Sequence, residues 1–507
     1  MKQYPPARIV EVLKRKISSH SKVLIYGPRD VGKSLYVRYA LYTLAKSEKG
    51  EQFIPVFLRC PVDARSVHDV VTANMFNDSR FSIVPIIVLE DAHLCHNLRE
   101  IVSIMLPFVN GGKVKLVLVA PSAHLGISKS KFDVQQKITP MRFVEVVEVV
   151  TDHIDLQLVL QNLKHFKGTD RLDNLKSSEK VQSLLEELRQ AVEEKLDLWR
   201  YFRCYMLCGG TAYAVYGDTY KDSCMKLCVE RGCNAMSQVI DIYFKTVDEV
   251  AEDGEAKNMN SAVVKALLYF FVERTHQGLE IGVNEILEKA QTYIQSLLLT
   301  YVEPQTVKHA LTFLRQSDII KEVKVEKVKL DGDKKPNNTA KYIFEDPRYF
   351  ISAYLHKEHN HGNREYPSAF RDLCELITSQ DNGTDRLFSH YLEEIVLVNL
   401  ARGAYATSVS AEHPDKSPNE YKYIKSIKLR DEQSNESEID AMISLQNNIK
   451  ILFEISTSYD PSHVEKCNRA VDMIRAGYCI YGTLDMQGVE NSGKTILAPL
   501  PYALLLF

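Results

Sequence analysis

Long hydrophobic runs are missing from this 507-residue sequence, and no segment has the length and apolarity of a membrane-spanning helix. The first 21 residues, MKQYPPARIVEVLKRKISSHS, also lack the apolar core of a signal peptide. Neither sign of charge predominates, since the chain has 63 Lys and Arg residues and 66 Asp and Glu residues. The composition therefore gives no global signal for nucleic-acid binding, and any such contact must come from a local patch. We expect a cytoplasmic or nuclear protein that does not use a membrane.

Cysteine is too sparse for a disulfide scaffold, with 10 in 507 residues, and this density favours a reducing compartment. Half of them cluster, at Cys204, Cys208, Cys224, Cys228 and Cys233. A zinc site is one interpretation of the cluster. The two closest spacings are i,i+4, however, and they favour cysteines on a buried helical face over the C-x₂-C pairs of structural zinc sites.

Residues 22–39, KVLIYGPRDVGKSLYVRY, place an apolar strand, a glycine turn and a helix in succession. This is the context that a G-x-x-x-x-G-K-[ST] phosphate-binding loop requires. The glycines let backbone N–H groups converge on phosphate, the lysine would reach the β- and γ-phosphates, and the serine would ligate Mg²⁺. We therefore expect ATP and Mg²⁺ as cofactors. The candidate cofactor-binding residues are Gly27, Pro28, Arg29, Asp30, Val31, Gly32, Lys33 and Ser34.

Further apolar runs predict a parallel sheet around this loop, because continuous apolar strands are typical of sheets buried on both faces. A helix is expected at residues 6–20, and strands are expected at 55–60, 83–89, 114–120 and 143–150. The strands alternate with helical patterns. The predicted fold class is therefore α/β, with a P-loop NTPase parallel sheet, and the length of the chain predicts about three domains.

An acidic pair, Glu90-Asp91, ends the third predicted strand, where α/β sheets place their ligand chemistry. One carboxylate would hold Mg²⁺ and the other would activate the attacking water, so Glu90 and Asp91 join Lys33 as candidate catalytic residues. The usual order is Asp then Glu, and the reversal leaves slow hydrolysis, or binding without turnover, open. The alternative is an acid that caps the next helix. Ser122 is a further candidate, as a sensor of the γ-phosphate.

Two short segments carry a resemblance to a family: Leu-Cys-Gly-Gly-Thr-Ala-Tyr at 207–213 and Tyr-Ile-Phe-Glu-Asp-Pro at 342–347. With the phosphate-binding loop, they make the chain resemble the archaeal-type ATPases of the AAA+/STAND group. Those proteins join the P-loop core to a helical lid with a Gly-Gly-x-Pro-x-Tyr-like turn, and then to a winged helix that closes with Tyr-x-Ile-x-Asp-Pro. This chain departs from the pattern at Ala212, Tyr213 and Phe344.

Helices predicted at 261–274, 283–290 and 303–317, then strands at 319–328 and 341–344, form a helix-turn-helix with a wing. The third helix carries Lys308, His309 and Arg315, which would enter the major groove if the domain binds DNA. The alternative is a structural lid on the ATPase. The alternative is favoured because the helix region also carries Glu303 and Asp318 and lacks a dense basic stripe.

The C-terminal pattern of helices at 388–400 and 462–476 and strands at 422–429, 438–443 and 449–455 resembles the PD-(D/E)XK nuclease-like fold of the same ATPases. The resemblance implies a Mg²⁺ site at Glu393 (or Glu394), Asp440 and Glu454, since carboxylate oxygens suit a hard cation. Ser456 replaces the family's lysine, and Lys466 is a candidate substitute. The alternative is a set of ordinary acids at the edge of an α/β domain.

The resemblance implies a P-loop core at 1–155, a helical lid at 156–260, a winged helix at 261–357 and a nuclease-like domain at 358–507. It implies an ATP-binding, ATP-hydrolysing protein whose nucleotide state regulates a metal-dependent nuclease-like domain that acts on nucleic acid, expected to be DNA. Crinkler effectors and retrotransposon hot spot proteins of eukaryotes are similar in this pairing. The alternative is an ATP-dependent switch or scaffold with an inactive nuclease fold, which Ser456 favours. A homo-oligomer or a protein partner fits either.

Overall fold

A computed structural model of the protein describes residues 7–28, 31–46, 52–75, 83–95, 97–120, 131–150, 175–193, 196–210, 261–316, 318–329, 334–335, 338–378, 385–408, 424–430, 436–445 and 449–507. Within these ranges, no helix combines the length and the apolar character needed to cross a membrane.

The helices are α1 (Ala7–Ser19), α2 (Lys33–Ala45), α3 (Ala64–Met75), α4 (Leu98–Asn110), α5 (Phe143–Val150), α6 (Ser178–Glu193), α7 (Leu198–Cys208), α8 (Ser261–Gln277), α9 (Ile286–Leu298), α10 (Pro304–Gln316), α11 (Pro347–Asn360), α12 (Tyr366–Thr378), α13 (Arg386–Ser408), α14 (Pro461–Ile474) and α15 (Leu500–Leu505). The strands are β1 (Lys22–Tyr26), β2 (Gln52–Arg59), β3 (Ile83–Glu90), β4 (Lys115–Ala120), β5 (Val134–Lys137), β6 (Glu280–Gly282), β7 (Ile320–Lys329), β8 (Lys334–Lys335), β9 (Thr339–Phe344), β10 (Ile424–Arg430), β11 (Glu436–Ser444), β12 (Lys450–Ser456), β13 (Tyr478–Thr483), β14 (Glu490–Ser492) and β15 (Thr495–Pro499).

The N-terminal sheet is parallel, and its described strands lie in the order β2-β3-β4-β1-β5. β1 is flanked on both sides, so that Tyr26 is level with Ala120 of β4 and with Lys137 of β5. Its side chains are buried on both faces, Leu24 in one apolar cluster and Val23 in another. The predicted α/β class with a parallel sheet is confirmed. The phosphate-binding turn begins at the carboxyl edge of this sheet, where such folds bind ligands.

The strand predicted at residues 143–150 is wrong, because Phe143–Val150 forms α5 and the fifth strand is β5. The valine run suggested a strand because β-branched residues favour strands. In the structure, a carboxylate oxygen of Glu145 accepts the backbone N–H of Arg142 at 2.9 Å, and the other oxygen pairs with its guanidinium at 3.0 Å. These contacts satisfy the first turn of the helix. Burial of all residues from 143 to 148 means that the apolar positions need not be confined to one face of the helix.

The second sheet extends across a predicted domain boundary. The helices and strands expected for the winged helix occur in order as α8, α9, α10, β7 and β9. Residues 320–324 of β7 pair antiparallel with β9, whereas residues 325–329 pair parallel with β10. In the described part of the chain, the strand order is β14-β15-β13-β12-β11-β10-β7-β9-β6, with β8 beside β7. A single sheet therefore links the predicted winged helix to the predicted nuclease-like domain.

Cysteine chemistry departs from the expected reduced state. Cys60 and Cys95 form a disulfide that joins the segments after β2 and β3. Cys204 and Cys208 lie buried on α7, as the i,i+4 spacing predicted, and both are also disulfide-bonded. The remaining members of the cysteine cluster, Cys224, Cys228 and Cys233, lie outside the described residues. The argument from sparse cysteine to a reducing compartment is therefore not supported.

Helix α13 joins the segment after β5 to the predicted winged helix through buried polar contacts. Asn399 accepts the backbone N–H of Phe143 at 2.8 Å. Arg402 donates to the carbonyl oxygen of Pro140 at 2.9 Å and forms a salt bridge of 2.8 Å with Glu345, in which the side chains are 3% and 0% exposed. Burial alone would raise the pKa of Glu345, but Arg402 lowers it overall. An intact pair keeps both buried charges compensated.

Replacing Arg402 with Met should destabilise the folded chain by roughly 3–5 kcal/mol, because it removes the cation that pairs directly with the buried Glu345 carboxylate. Chemical unfolding followed by far-UV circular dichroism measures the change. The exposed pair Lys14–Glu11 provides the control, since Lys14→Met should cost at most about 1 kcal/mol. Equal effects of the two substitutions would contradict the structural role of the buried pair.

The pH dependence of stability should carry the signature of Glu394 on α13. Burial raises its pKa to about 8, although it accepts the Phe344 N–H at 2.9 Å and the hydroxyl of Thr275. An acid with a raised pKa is most favourable below its unfolded value and loses stability as the pH rises to the folded value, by roughly 1.4 kcal/mol per unit. Glu394→Gln should flatten this loss between pH 5 and 8 in unfolding experiments. An unchanged slope, matching that of the exposed variant Glu288→Gln, would contradict the assignment.

Candidate nucleotide site and acidic cluster

The turn after β1 is a glycine-dependent cradle. Gly27 has φ +150°, and a Cβ atom there would lie 1.9 Å from the carbonyl oxygen of Ile138. The Ile138 N–H in turn donates to the carbonyl of Tyr26 at 2.7 Å, which holds the two backbones together. Gly32, with φ +94°, begins α2. Both glycines predicted from the sequence are therefore required by the backbone, at the edge of the sheet and at the N-terminus of the helix.

Lys33 folds back over this turn. Its ammonium group donates to the carbonyl oxygens of Gly27 at 2.8 Å and Pro28 at 2.6 Å. Ser34 follows it in the first turn of α2. A phosphate in the cradle would meet the helix N-terminus and could exchange with these carbonyls for the ammonium group. Among the other predicted loop residues, Val31 is buried, and Arg29 and Asp30 lie outside the described residues.

Both predicted carboxylates of the third strand are engaged by arginine. Glu90 is 4% exposed, and its two oxygens accept from Arg38 on α2 at 2.7 and 3.1 Å. This hydrogen bond raises the pKa of Arg38. Asp91, in a left-handed conformation with φ +52°, pairs with Arg59 at 3.1 Å. Glu90 is therefore held on both oxygens, whereas only one oxygen of the partly exposed Asp91 is engaged. The sensor candidate Ser122 lies outside the described residues.

In the C-terminal sheet, Glu393 of α13 is neutralised by a lysine that the sequence did not single out. Lys341 of β9 is 3% exposed and forms ion pairs with Glu393 and with Glu438 of β11. Burial alone would lower the pKa of Lys341, but the two carboxylates raise it overall. The residue comes from the predicted winged helix. Its place next to Glu393 follows from the shared sheet and not from any local motif.

The two strand acids face each other, and a second lysine joins them. Burial, then the charges of Glu454 and Glu393, raise the pKa of Asp440 well above its usual range. One Asp440 oxygen accepts the backbone N–H of Ile455 at 2.8 Å. Glu454 of β12 is ion-paired with Lys466, the predicted substitute lysine on α14.

Glu454 has one oxygen available for a further ligand. Its Oε1 atom lies 2.8 Å from Nδ1 of His463, and its Oε2 atom is buried without a hydrogen-bond partner among the described residues. A divalent cation held by Asp440 and Glu454 would satisfy that oxygen. In the described part of the chain no three His, Cys, Asp or Glu side chains are grouped so as to hold a metal ion. Asp440 and Glu454 could therefore hold a cation that has few protein ligands. Glu393 is ion-paired with Lys341.

Glu394, the other helix acid considered, lies elsewhere. Its contacts with Thr275 and with the Phe344 backbone place it in the joint between α13 and the winged helix. The structure thus brings together Glu393, Asp440, Glu454 and Lys466, and separates Glu394 from their acidic cluster. It also adds Lys341, Glu438 and His463 to that cluster.

The exposed face of α10 is polar. Lys308 and His309 are exposed, and His309 Nε2 lies 2.8 Å from the amide nitrogen of Gln305. Arg315 pairs with Glu322 of β7 at 2.9 Å, which reduces its availability for phosphate. Leu299 and Tyr301, in the turn before α10, are 90% and 75% exposed. The sequence pattern did not single out these two residues, because turn residues have no periodicity that reports exposure.

No model of a known protein family matches the chain, and no curated protein matches it. Among solved structures, the chain is similar to the Aeropyrum pernix Orc1 protein in complex with DNA, at 15% identity and a TM-score of 0.27, covering 71% of this chain and 94% of that chain. It is similar to Cdc6p from Pyrobaculum aerophilum at 11% identity and a TM-score of 0.26, with coverage of 74% and 97%. It is similar to AMPPCP-bound DnaA from Aquifex aeolicus at 13% identity and a TM-score of 0.18, covering 61% of this chain and 86% of that chain. Likenesses with TM-scores below 0.5 do not assign a function.

Proposed function

We propose that the protein is an ATP-binding switch of the AAA+/STAND type whose nucleotide state regulates a metal-dependent, nuclease-like C-terminal domain acting on nucleic acid. The observation that carries this proposal is the cradle formed by Gly27, Gly32 and Lys33, packed directly on the backbone of Ile138. A phosphate bound in the cradle would displace the backbone of Ile138, which continues into the segment that contacts the other parts of the molecule.

The connecting segment, residues 137–143, supports the regulatory part of the proposal. At its start, Lys137 pairs with the buried Asp318 of the winged helix at 3.0 Å. Near its end, the carbonyl of Pro140 accepts from Arg402, and the N–H of Met141 donates to Gly210 at 2.6 Å. Each contact ties the segment to a different part of the molecule. Movement of Ile138 would therefore change contacts at both the winged helix and α13, whose earlier turns carry Glu393.

Hydrolysis is proposed to be slow. The Glu90 carboxylate is a candidate base, but Arg38 holds both of its oxygens, and Asp91 is paired with Arg59. A base must be within hydrogen-bond reach of the attacking water and free to accept its proton. Turnover with Glu90 as the base would require Arg38 to release it, whereas ATP and Mg²⁺ could bind at Lys33 and Ser34 without this change.

Lys33→Ala should abolish binding of ATP·Mg²⁺, because it removes the only ammonium group that the motif directs to the β- and γ-phosphates. Isothermal titration calorimetry of the full chain measures the affinity. Lys46→Ala, at the opposite end of α2, is the matched control and should bind as the wild type does. Unchanged affinity of the Lys33 variant would remove the basis for a nucleotide site.

The acidic cluster supplies the proposed site of action on nucleic acid. Asp440 and Glu454 would hold the divalent cation, and Mg²⁺ would stabilise the charge that develops on a phosphodiester under attack. Lys466 would orient Glu454 and offset negative charge beside the substrate, the role for which Ser456 is unsuited. Exposed Lys308 and His309 on α10 provide a candidate contact with the nucleic-acid backbone or bases.

A second candidate function is a nucleotide-dependent switch whose nuclease-like domain binds without cleaving. One specific observation favours it: Glu393, the helix carboxylate that the resemblance assigns to the metal site, is ion-paired with Lys341, and burial raises its pKa despite that lysine. The two proposals differ only in the chemistry of this cluster, and they share the nucleotide site and the connecting segment.

Calorimetry with Mn²⁺, together with cleavage assays on plasmid and single-stranded DNA, separates these candidates. Wild-type protein should bind Mn²⁺ and cut DNA, whereas Asp440→Asn and Glu454→Gln should lose both activities, because each removes one proposed ligand. Glu465→Gln, an exposed neighbour on α14, is the control. Mn²⁺ binding without cleavage would favour the binding module. Binding that survives both substitutions together would place the metal elsewhere.

A further inference from the structure

Two buried cysteines meet between α14 and β13. The Sγ atoms of Cys467 and Cys479 are 2.7 Å apart, and both residues are fully buried in the apolar cluster beneath α14. A third cysteine of the described residues, Cys374, is buried on α12 and belongs to a different apolar cluster.

The surroundings of the pair leave little freedom for the sulfur atoms to separate. Cys479 is a central residue of its strand, with its backbone N–H bonded to the Lys494 carbonyl at 3.0 Å and its position level with Leu452 of β12. Cys467 lies in the middle of α14. The residue after it, Asn468, accepts the backbone N–H of Lys494 at 2.8 Å through its side-chain oxygen. A disulfide bond is about 2.0 Å long, so a small side-chain rotation brings the sulfurs to bonding distance.

We propose that Cys467 and Cys479 form a disulfide, a covalent modification in addition to the disulfides already present in the chain. The oxidant is a low-molecular-weight disulfide such as oxidised glutathione. One cysteine thiolate attacks it and releases one thiol, and the second cysteine then attacks the mixed disulfide and releases another. Two protein thiols and one small disulfide thus give one protein disulfide and two small thiols, with no other reactant.

The timing of the reaction follows from burial. Burial, and then the neighbouring Cys467, raise the pKa of the Cys479 thiol well above its usual range. The thiolate is the reactive form, so the folded pair reacts slowly in either direction. The bond should form while the domain folds, before α14 covers the strand, and should then resist mild reduction in the native protein.

The crosslink lies next to two residues that contact Glu454 of the acidic cluster. Lys466 directly precedes Cys467 on α14, and His463 lies one turn earlier; both contact Glu454. β13 is paired with β12, where Tyr481 is level with Glu454. A covalent bond from α14 to β13 would fix the lysine and the histidine relative to the carboxylate. The inference about the bond itself does not depend on the proposed nuclease function.

Peptide mapping of the full chain tests the crosslink. Protein is purified without reductant, exposed to oxidised glutathione during refolding, denatured with excess N-ethylmaleimide, digested and analysed by mass spectrometry. The expected result is a peptide pair joined through Cys467 and Cys479, two hydrogens lighter than the free thiols, with complete loss of label at both positions.

Cysteine-to-serine variants provide a second test of the crosslink. In Cys467→Ser, Cys479 should carry either the label or one glutathione and should be linked to no other cysteine of the chain, and in Cys374→Ser the linked pair should persist. Labelling of both Cys467 and Cys479 in the wild type overturns the proposal, as does linkage of either residue to a different cysteine. Because the wild-type measurement needs no variant, a failure of either variant to fold leaves the test intact.

Discussion

The contact between the backbones of Gly27 and Ile138 is the constraint on which the rest of the structure depends. No side chain fits between them, since a Cβ atom on Gly27 would lie 1.9 Å from the Ile138 carbonyl oxygen. The phosphate-binding turn is therefore held against the connecting segment by backbone alone. No side chain lies between the two backbones to take up a displacement of the turn, and close-packed interiors transmit such displacements. This gives a physical reason for the nucleotide site and the remaining parts of the molecule to respond together.

Buried charges complete that connection. Asp318, Glu345 and Glu393 each receive a cation from another part of the chain, from Lys137, Arg402 and Lys341 respectively. Removing one partner of a buried pair is costly where no second cation is near, so the pairs Arg402–Glu345 and Lys341–Glu393 favour one arrangement of the parallel sheet, residues 261–357 and the C-terminal strands. The same compensation limits the chemistry of a carboxylate whose two oxygens are both held, as those of Glu90 are by Arg38, whereas Glu454 keeps its Oε2 atom without a partner among the described residues.

The sequence predicted features that depend on local pattern. The strand, glycine turn and helix around Lys33 could be predicted because each has a short-range signature. Asp440 and Glu454 were assigned only through the resemblance to the PD-(D/E)XK nuclease-like fold. Helix α5 was mistaken for a strand because its valines outweighed the capping role of Glu145. Lys341 was missed because its partner Glu393 lies 52 residues away, beyond the reach of any periodicity. Likewise, Arg38 gave no sign that it would hold Glu90, since the pairing depends on the tertiary arrangement of α2 and β3.

The central claim is that nucleotide in the cradle changes the state of α13 through the connecting segment. Hydrogen–deuterium exchange of the full chain, with and without ATP·Mg²⁺, measures this directly. Wild-type protein should show altered exchange of the backbone amides of Arg386–Ser408 at saturating nucleotide, and Lys33→Ala should show no change. If ATP binds and alters exchange around Gly32 while the amides of α13 stay as they were, the nucleotide site and the C-terminal domain are not coupled, and the account is wrong.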